Sequence, residues 1–260
     1  MDLDLAGKTA LITGGSKGIG LETAKVLAAE GVSLHLAARD PHTLEQARSA
    51  IRSGCGVDVS VYSVDLSRSE EISRLASSCA DIDILVNNAG AIPGGTIRTV
   101  DEDTWRSGWD LKVYGYINLT RLIYAQMVER GSGVIVNVCG TAGDQPPSNH
   151  LPGIVANSAL ITLTRAMGGV SLDDGVRVVG INPGDMVNER GLMFMRRYAV
   201  EEFGDAERWE EAMAHLPGGK AAVDADMANA IAFLASPRAG YVSGVVLTID
   251  GGVSARRAVI

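Results

Sequence analysis

The sequence predicts an α/β fold: a single domain on a doubly wound, parallel, seven-stranded sheet flanked by helices. Three observations lead there. Short β-branched apolar runs alternate with helix-periodic runs along nearly the whole chain. The strand-like runs are apolar at successive positions, as strands covered on both faces are. No linker, repeat or low-complexity stretch divides the 260 residues, 46% of them hydrophobic, which suits one large core.

Taken in order, residues 8–13 (KTALIT) form the first predicted strand. Residues 18–30 follow as a helix, with Ile19, Thr23, Val26 and Leu27 at helical spacing. Residues 32–38 form the second strand, and Asp40-Pro41 reads as an N-cap with proline at the first helical position. Residues 57–64 are β-rich, and Ser67 with Glu70 has the spacing of a capping box opening the next helix. Residues 82–86 form a fourth strand, 101–129 one long helix and 133–138 a fifth strand. Residues 150–168 are helical, 176–181 a strand, 224–235 helical and 245–249 the last strand.

The stretch 186–220 breaks this alternation and is rich in Met, Arg, Glu and Trp, including Met193, Met195, Arg196, Arg197, Trp209 and Met213. It reads as an insertion in the single domain 1–260. It either covers a site at the carboxyl ends of the strands as a substrate lid or packs as an amphipathic helix pair on the sheet edge.

A formal net charge of -8 speaks against a nucleic-acid surface, which would be basic. No apolar run approaches the ~18–20 residues that span a bilayer, and residues 1–5 lack a basic start followed by an apolar run. The cysteines, Cys55, Cys79 and Cys139, are odd in number and form no C-x-x-C pair, so neither a disulfide framework nor a metal site is expected. These features predict a cytoplasmic protein with a small-molecule partner.

Thr13-Gly14-Gly15-Ser16-Lys17-Gly18-Ile19-Gly20 joins the first strand to the first helix. Glycines let a backbone approach a phosphate, and the helix N-terminus offers unpaired N–H groups. The T-G-x-x-x-G-x-G spacing is joined by Asp65 after the third strand and Asn87-Asn88-Ala89-Gly90 after the fourth. Asn182-Pro183-Gly184 follows the sixth strand and Asp250-Gly251-Gly252 the seventh. In these five ordered motifs, from about residue 5 to residue 252, the chain resembles the short-chain dehydrogenase/reductase family, whose fold is Rossmann-type.

The resemblance implies that Gly14, Gly18 and Gly20 hold a dinucleotide pyrophosphate, with Ser16 and Ile19 beside them. It places Asp65 and Leu66 at the adenine. Asn88, Ala89, Gly90, Asn157, Pro183, Gly184 and Asn188 line the rest of the cleft, Asn188 standing where the family usually has threonine. An acidic residue some 20 positions past the glycines would bind a ribose 2′-hydroxyl. Here that strand end reads Ala37-Ala38-Arg39. Arg39 and Lys17 suit a 2′-phosphate, so NADP(H) is favoured over NAD(H), unless both are ordinary surface cations.

The family's chemistry rests on a Ser-Tyr-Lys-Asn relay. Aligned on 133–138 and on Leu163-Thr164-Arg165, the serine falls at Gly140, the tyrosine at Gly153 and the lysine at Asn157. The asparagine falls at Lys112, judged from Gly115 and Asn118-Leu119-Thr120-Arg121. The resemblance thus implies an atypical member lacking the usual catalytic residues. Candidate replacements are His150, one turn before Gly153, with Lys112, Asn157 and Asp144. His150, Lys112 and Asp144 have plainer alternatives: a solvated loop histidine, a helix-surface lysine and a surface turn. Cys139 reads as a small buried residue, and Asp185 could face a substrate.

Three functions stay open: an NADP(H)-dependent oxidoreductase with a non-standard proton relay, a non-redox lyase, dehydratase or isomerase, and a silent nucleotide-binding subunit. The first is expected to take a small, fairly apolar carbonyl, alcohol or imine. The resemblance also implies a homo-oligomer, a tetramer or a dimer.

Overall fold

The structure is a computed structural model and describes residues 1–92, 94–143 and 150–256. Its strands are β1 (Thr9–Thr13), β2 (Ser33–Ala38), β3 (Val59–Ser63), β4 (Ile84–Asn87), β5 (Gly133–Val138), β6 (Val176–Pro183) and β7 (Val246–Ile249). They form one seven-stranded sheet in the order β3-β2-β1-β4-β5-β6-β7, every neighbouring pair parallel. This is the predicted doubly wound, Rossmann-type architecture. The winding direction reverses between β1 and β4, which opens a crevice beyond the carboxyl ends of the strands.

Helices α1 (Gly18–Ala29), α2 (Pro41–Arg52), α3 (Ser69–Ser78), α4 (Glu102–Trp109), α5 (Gly115–Arg130) and α6 (Leu151–Gly168) follow in chain order. After them come α7 (Glu189–Phe203), α8 (Trp209–Ala212) and α9 (Asp224–Ala235). One face of the sheet buries Leu27, Leu44 and Ile231 against Leu34, Val86 and Val136. The other buries Leu75, Leu119 and Ile123 against Leu11, Leu85 and Ile135. Two buried faces are why the strands read as unbroken apolar runs. Arg177, buried in β6, donates to the carbonyls of Leu234, Ala235 and Ser236 and so neutralises the negative end of α9.

Three local expectations are corrected. The helix predicted over 101–129 is interrupted by a π-helical turn, Asp110–Tyr114, between α4 and α5. Apolar periodicity cannot register this change of hydrogen-bond spacing, and such turns gather at functional sites. The capping box at Ser67 and Glu70 does not form, since α3 begins at Ser69 with no side-chain cap. The Ser67 hydroxyl donates instead to Asp65 Oδ1 at 2.8 Å, and Glu71, not Glu70, accepts the Asp65 N–H at 2.7 Å. The helix predicted from residue 150 starts at Leu151, leaving His150 non-helical at φ -142°, ψ 40°.

Residues 186–220 leave the sheet at the carboxyl end of β6 and carry α7 and α8. Both ends of the excursion are pinned together. Val187 N–H donates to the Ala222 carbonyl at 2.8 Å, and Ala222 N–H to the Asp185 carbonyl at 2.9 Å. Met195 and Ala199 seat α7 inward, while Met193 is exposed.

Candidate active site

The crevice floor is the turn from β1 into α1. Gly14 and Gly18 have φ of +65° and +57°, where a side chain is strained. A Cβ on Gly20 would strike the Gly14 carbonyl and approach Asn88 Nδ2 to 2.6 Å. Asn88 Nδ2 donates to the carbonyls of Thr13 and Gly14 at 3.0 and 3.3 Å, and Thr13 Oγ1 accepts from the Asn88 and Ala89 N–H groups. Asn88 therefore holds the loop in shape. Lys17, at the N-cap of α1, gives no side-chain cap, so the first-turn N–H groups keep their capacity for an anion. Exposed Arg39 and Lys17 and the uncapped turn fit a phosphorylated dinucleotide.

Two predicted cofactor contacts have other duties. Asn188 caps α7, its Oδ1 accepting from Gly191 N–H at 2.9 Å while its Nδ2 donates to Asp224 at 2.8 Å. Leu66 is a core side chain, 4% exposed, so only its backbone can face the crevice. For the Asp65 carboxyl, burial pushes the pKa up; the two Ser67 hydrogen bonds, with Arg39 and Arg68 nearby, outweigh it and bring the net value below the ordinary one. Gly184 packs against Asp250, which an added Cβ would approach to 2.6 Å, and the Pro183 carbonyl accepts from Thr141 Oγ1 at 3.2 Å.

Deeper in the crevice the π-helical turn presents Lys112. Its stem lies over Gly90, where an added Cβ would come within 3.1 Å of Lys112 Cδ. Its Nζ donates to Asn157 Oδ1 at 2.7 Å and to the Cys139 carbonyl at 3.1 Å. Asn157, 7% exposed, needs room that Gly140 supplies: a Cβ on Gly140 would lie 2.6 Å from Asn157 Nδ2, and the φ of Gly140, +147°, disfavours any side chain. Cys139 is buried, with its thiol directed at the Asn137 carbonyl. Below lies a polar network that the sequence reading did not include. Asn87 Nδ2 donates to Asn137 Oδ1 and Thr120 Oγ1, and Asn137 Nδ2 to Thr164 Oγ1, each at 2.9 Å.

His150 enters from the other side. Leu151 N–H donates to the Gly95 carbonyl at 2.9 Å, and Trp109 Nε1 to the Pro152 carbonyl at 3.2 Å, which fixes the start of α6. The imidazole occupies the space a Gly153 side chain would take, since a Cβ there would collide with Nε2. Its ring meets Phe194 of α7 edge to face at 5.6 Å, and among the described residues its buried Nδ1 has no hydrogen-bond partner. Asp144 lies outside the described residues.

Arg190, absent from the predicted set, closes the group. From the first turn of α7 it donates to the carbonyls of Gly90 and Ile92 at 3.2 and 3.3 Å and lies over the Phe194 ring. It stands two residues past Asn188, in a segment whose position had no strand or helix period to anchor it. Burial first, then the Arg190 charge, lowers the Lys112 ammonium to about 8. Burial, then Arg190 and Lys112, lowers His150 to about 4. At neutral pH the site holds a charged guanidinium, an ammonium near its titration point and a neutral imidazole.

Comparisons with known proteins agree with this geometry. The family model described as short chain dehydrogenase matches residues 8–191. Galactitol 2-dehydrogenase (L-tagatose-forming) of Cereibacter sphaeroides is 31% identical over 250 residues, 95% of each chain. The structure of L-sorbose reductase from Gluconobacter frateurii, complexed with NADPH and L-sorbose, superposes with a TM-score of 0.91 at 30% identity, covering 99% of this chain and 100% of that one. An NAD+-bound xylitol dehydrogenase superposes at 0.90 with 26% identity, covering 96% and 100%. With these matches over nearly its whole length, the chain belongs to the short-chain dehydrogenase/reductase family of oxidoreductases.

Proposed function

We propose that the protein is an NADP(H)-dependent oxidoreductase that interconverts a small carbonyl, or imine, and its reduced form, with Lys112 at the centre of a rebuilt proton relay. One observation carries the reading: the Lys112 ammonium hydrogen-bonded to Asn157 at 2.7 Å. In the family's register these positions hold asparagine and lysine, so the pair has exchanged places. The cation now arrives from the π-helical turn rather than from α6. Gly140 and Gly153 make room for the Asn157 amide and the His150 ring.

The bound cofactor supplies the hydride equivalent. A lysine ammonium has three N–H donors. Two are held by Cys139 and Asn157, and the third is left for a substrate oxygen. In reduction that proton passes to the oxygen as negative charge develops on it, and solvent recharges the amine. Oxidation runs the same transfer in reverse, with Lys112 as base. A pKa of about 8 suits this work near neutrality. His150 was the leading sequence candidate, but at about 4 it is neutral at working pH, so it orients the substrate rather than storing a proton.

Arg39 and Lys17 support the 2′-phosphate preference, and Ala38 leaves room for it. Residues 186–220 act as a lid whose first turn contacts both walls of the crevice. No described helix is long and apolar enough to cross a membrane. The test is titration with NADPH and NADH, followed by a carbonyl and imine panel read at the nicotinamide absorbance. NADPH bound more tightly than NADH, with turnover, is expected. Absence of nucleotide binding overturns the reading; tight binding without turnover on any substrate replaces it with a silent or non-redox role.

A further inference from the structure

The arrangement of cations over the crevice leads further. Arg190 and Lys112 both border Gly90, and among the described residues neither forms a salt bridge with a carboxylate. The Arg190 guanidinium is met only by two backbone carbonyls and the face of Phe194, which leaves N–H donors over. The third member, His150, keeps a buried Nδ1 without a partner among the described residues. Arg197 reaches the same neighbourhood, its Nη1 3.7 Å from where a Gly94 Cβ would lie, although Glu201 pairs with it. Of the acidic groups at this end of the sheet, Asp185 and Asp250 lie together near the ends of β6 and β7, Asp65 is held by Ser67, Asp224 accepts from Asn188 and Glu189 pairs with Lys17.

In a chain of net charge -8, an enclosed lysine and an exposed arginine, neither paired with a carboxylate among the described residues, make this end of the crevice locally positive. Charge in a partly enclosed site is costly unless something offsets it. A planar guanidinium with donors to spare matches a carboxylate in geometry and charge.

We propose that the substrate carries a carboxylate, which Arg190 binds while its carbonyl or alcohol oxygen meets Lys112. This rests on the oxidoreductase reading for the identity of the reacting group, but the charge preference stands on Arg190 alone. Arg190 is thus the specificity-determining residue, and Phe194 beneath it provides an apolar shelf for the carbon skeleton.

The experiment compares phenylacetate with phenylacetamide, which match in size and differ in charge, by calorimetric titration of the protein with and without saturating NADPH. Phenylacetate is expected to bind at least about tenfold more tightly, as befits hydrogen bonds to a charged partner. Arg190→Gln removes that preference, and Arg190→Lys restores part of it. NADPH affinity changes less than about threefold in both variants, since their thermal stability and cofactor binding are read alongside. Equal binding of the two probes, no saturable binding of phenylacetate, or a preference that survives in Arg190→Gln each overturns the proposal. A large loss of NADPH affinity in Arg190→Gln with the probe preference intact assigns Arg190 to the cofactor pyrophosphate instead. Failure to bind NADPH at all strikes the oxidoreductase reading while the charge preference remains measurable.

Discussion

At Lys112 burial and then the neighbouring Arg190 guanidinium bring the ammonium down to about 8, while two oxygen acceptors fix its position. Carbonyl reduction needs the protonated form, so its rate is expected to fall as pH rises through about 8, and alcohol oxidation to rise over the same interval. Lys112→Met is expected to lower turnover about 10²–10⁴-fold while NADPH still binds, measured by steady-state kinetics and fluorescence titration. Lys112→Arg, always charged, should abolish the alkaline limb; a limb that persists there removes Lys112 from the relay. His150 makes a separate statement about stability. Its folded pKa, about 4, lies below its unfolded 6.5, so between them the unfolded chain binds a proton that the folded chain refuses. Stability is therefore lost as pH falls through that window. His150→Gln should flatten the dependence, which urea titrations across the window would record.

Among the elements, α7 couples the two halves of the crevice. Glu189 pairs with Lys17 at 3.1 Å, and both side chains are well exposed. Lys17 is one of the two cations proposed to meet a 2′-phosphate, and on that proposal Glu189 competes with the cofactor for it. Glu189→Gln should tighten NADPH up to about fivefold and leave NADH unchanged, the scale of an exposed ion pair. Arg39→Ala should weaken NADPH about tenfold or more and narrow its advantage over NADH. Equal effects on both nucleotides would show that neither side chain reads the phosphate. The helices and strands of this region were legible because their cores repeat. The π-helical turn was not, because inserting one residue into a hydrogen-bond ladder leaves the apolar pattern nearly intact. Nor was the role of Ser67, whose nearest competitor for a hydrogen bond, Asp65, was itself read as a cofactor contact.

On the scale of the whole molecule, β7 ends the sheet and leaves Val245 and Leu247 exposed at 39% and 41%, with Phe233 of α9 also exposed. An apolar edge is a standing invitation to pair, and covering it with a second copy removes that hazard. Sedimentation at micromolar concentration should find a dimer or tetramer, and Leu247→Glu should shift it towards monomer with little change in the unfolding temperature of the monomer. A wild-type protein that sediments as a monomer would end the self-association proposal.

The fold class, the succession of strands and helices along the chain and the glycine turn were readable because each rests on local chemistry: β-branched runs, helical spacing, glycine where no side chain fits. The departures that the family resemblance implies at 112, 140, 153 and 157 were readable as well, but only position by position. Their meaning required the tertiary structure. Lys112 and Asn157 stand on different helices, and only folding brings them to 2.7 Å. Arg190 had no local signature, and its field over Lys112 and His150 exists because α7 crosses the crevice. Local propensity sets which elements form; charge and hydrogen bonding between distant residues decide what the site can do, and those depend on distances that the linear order does not contain.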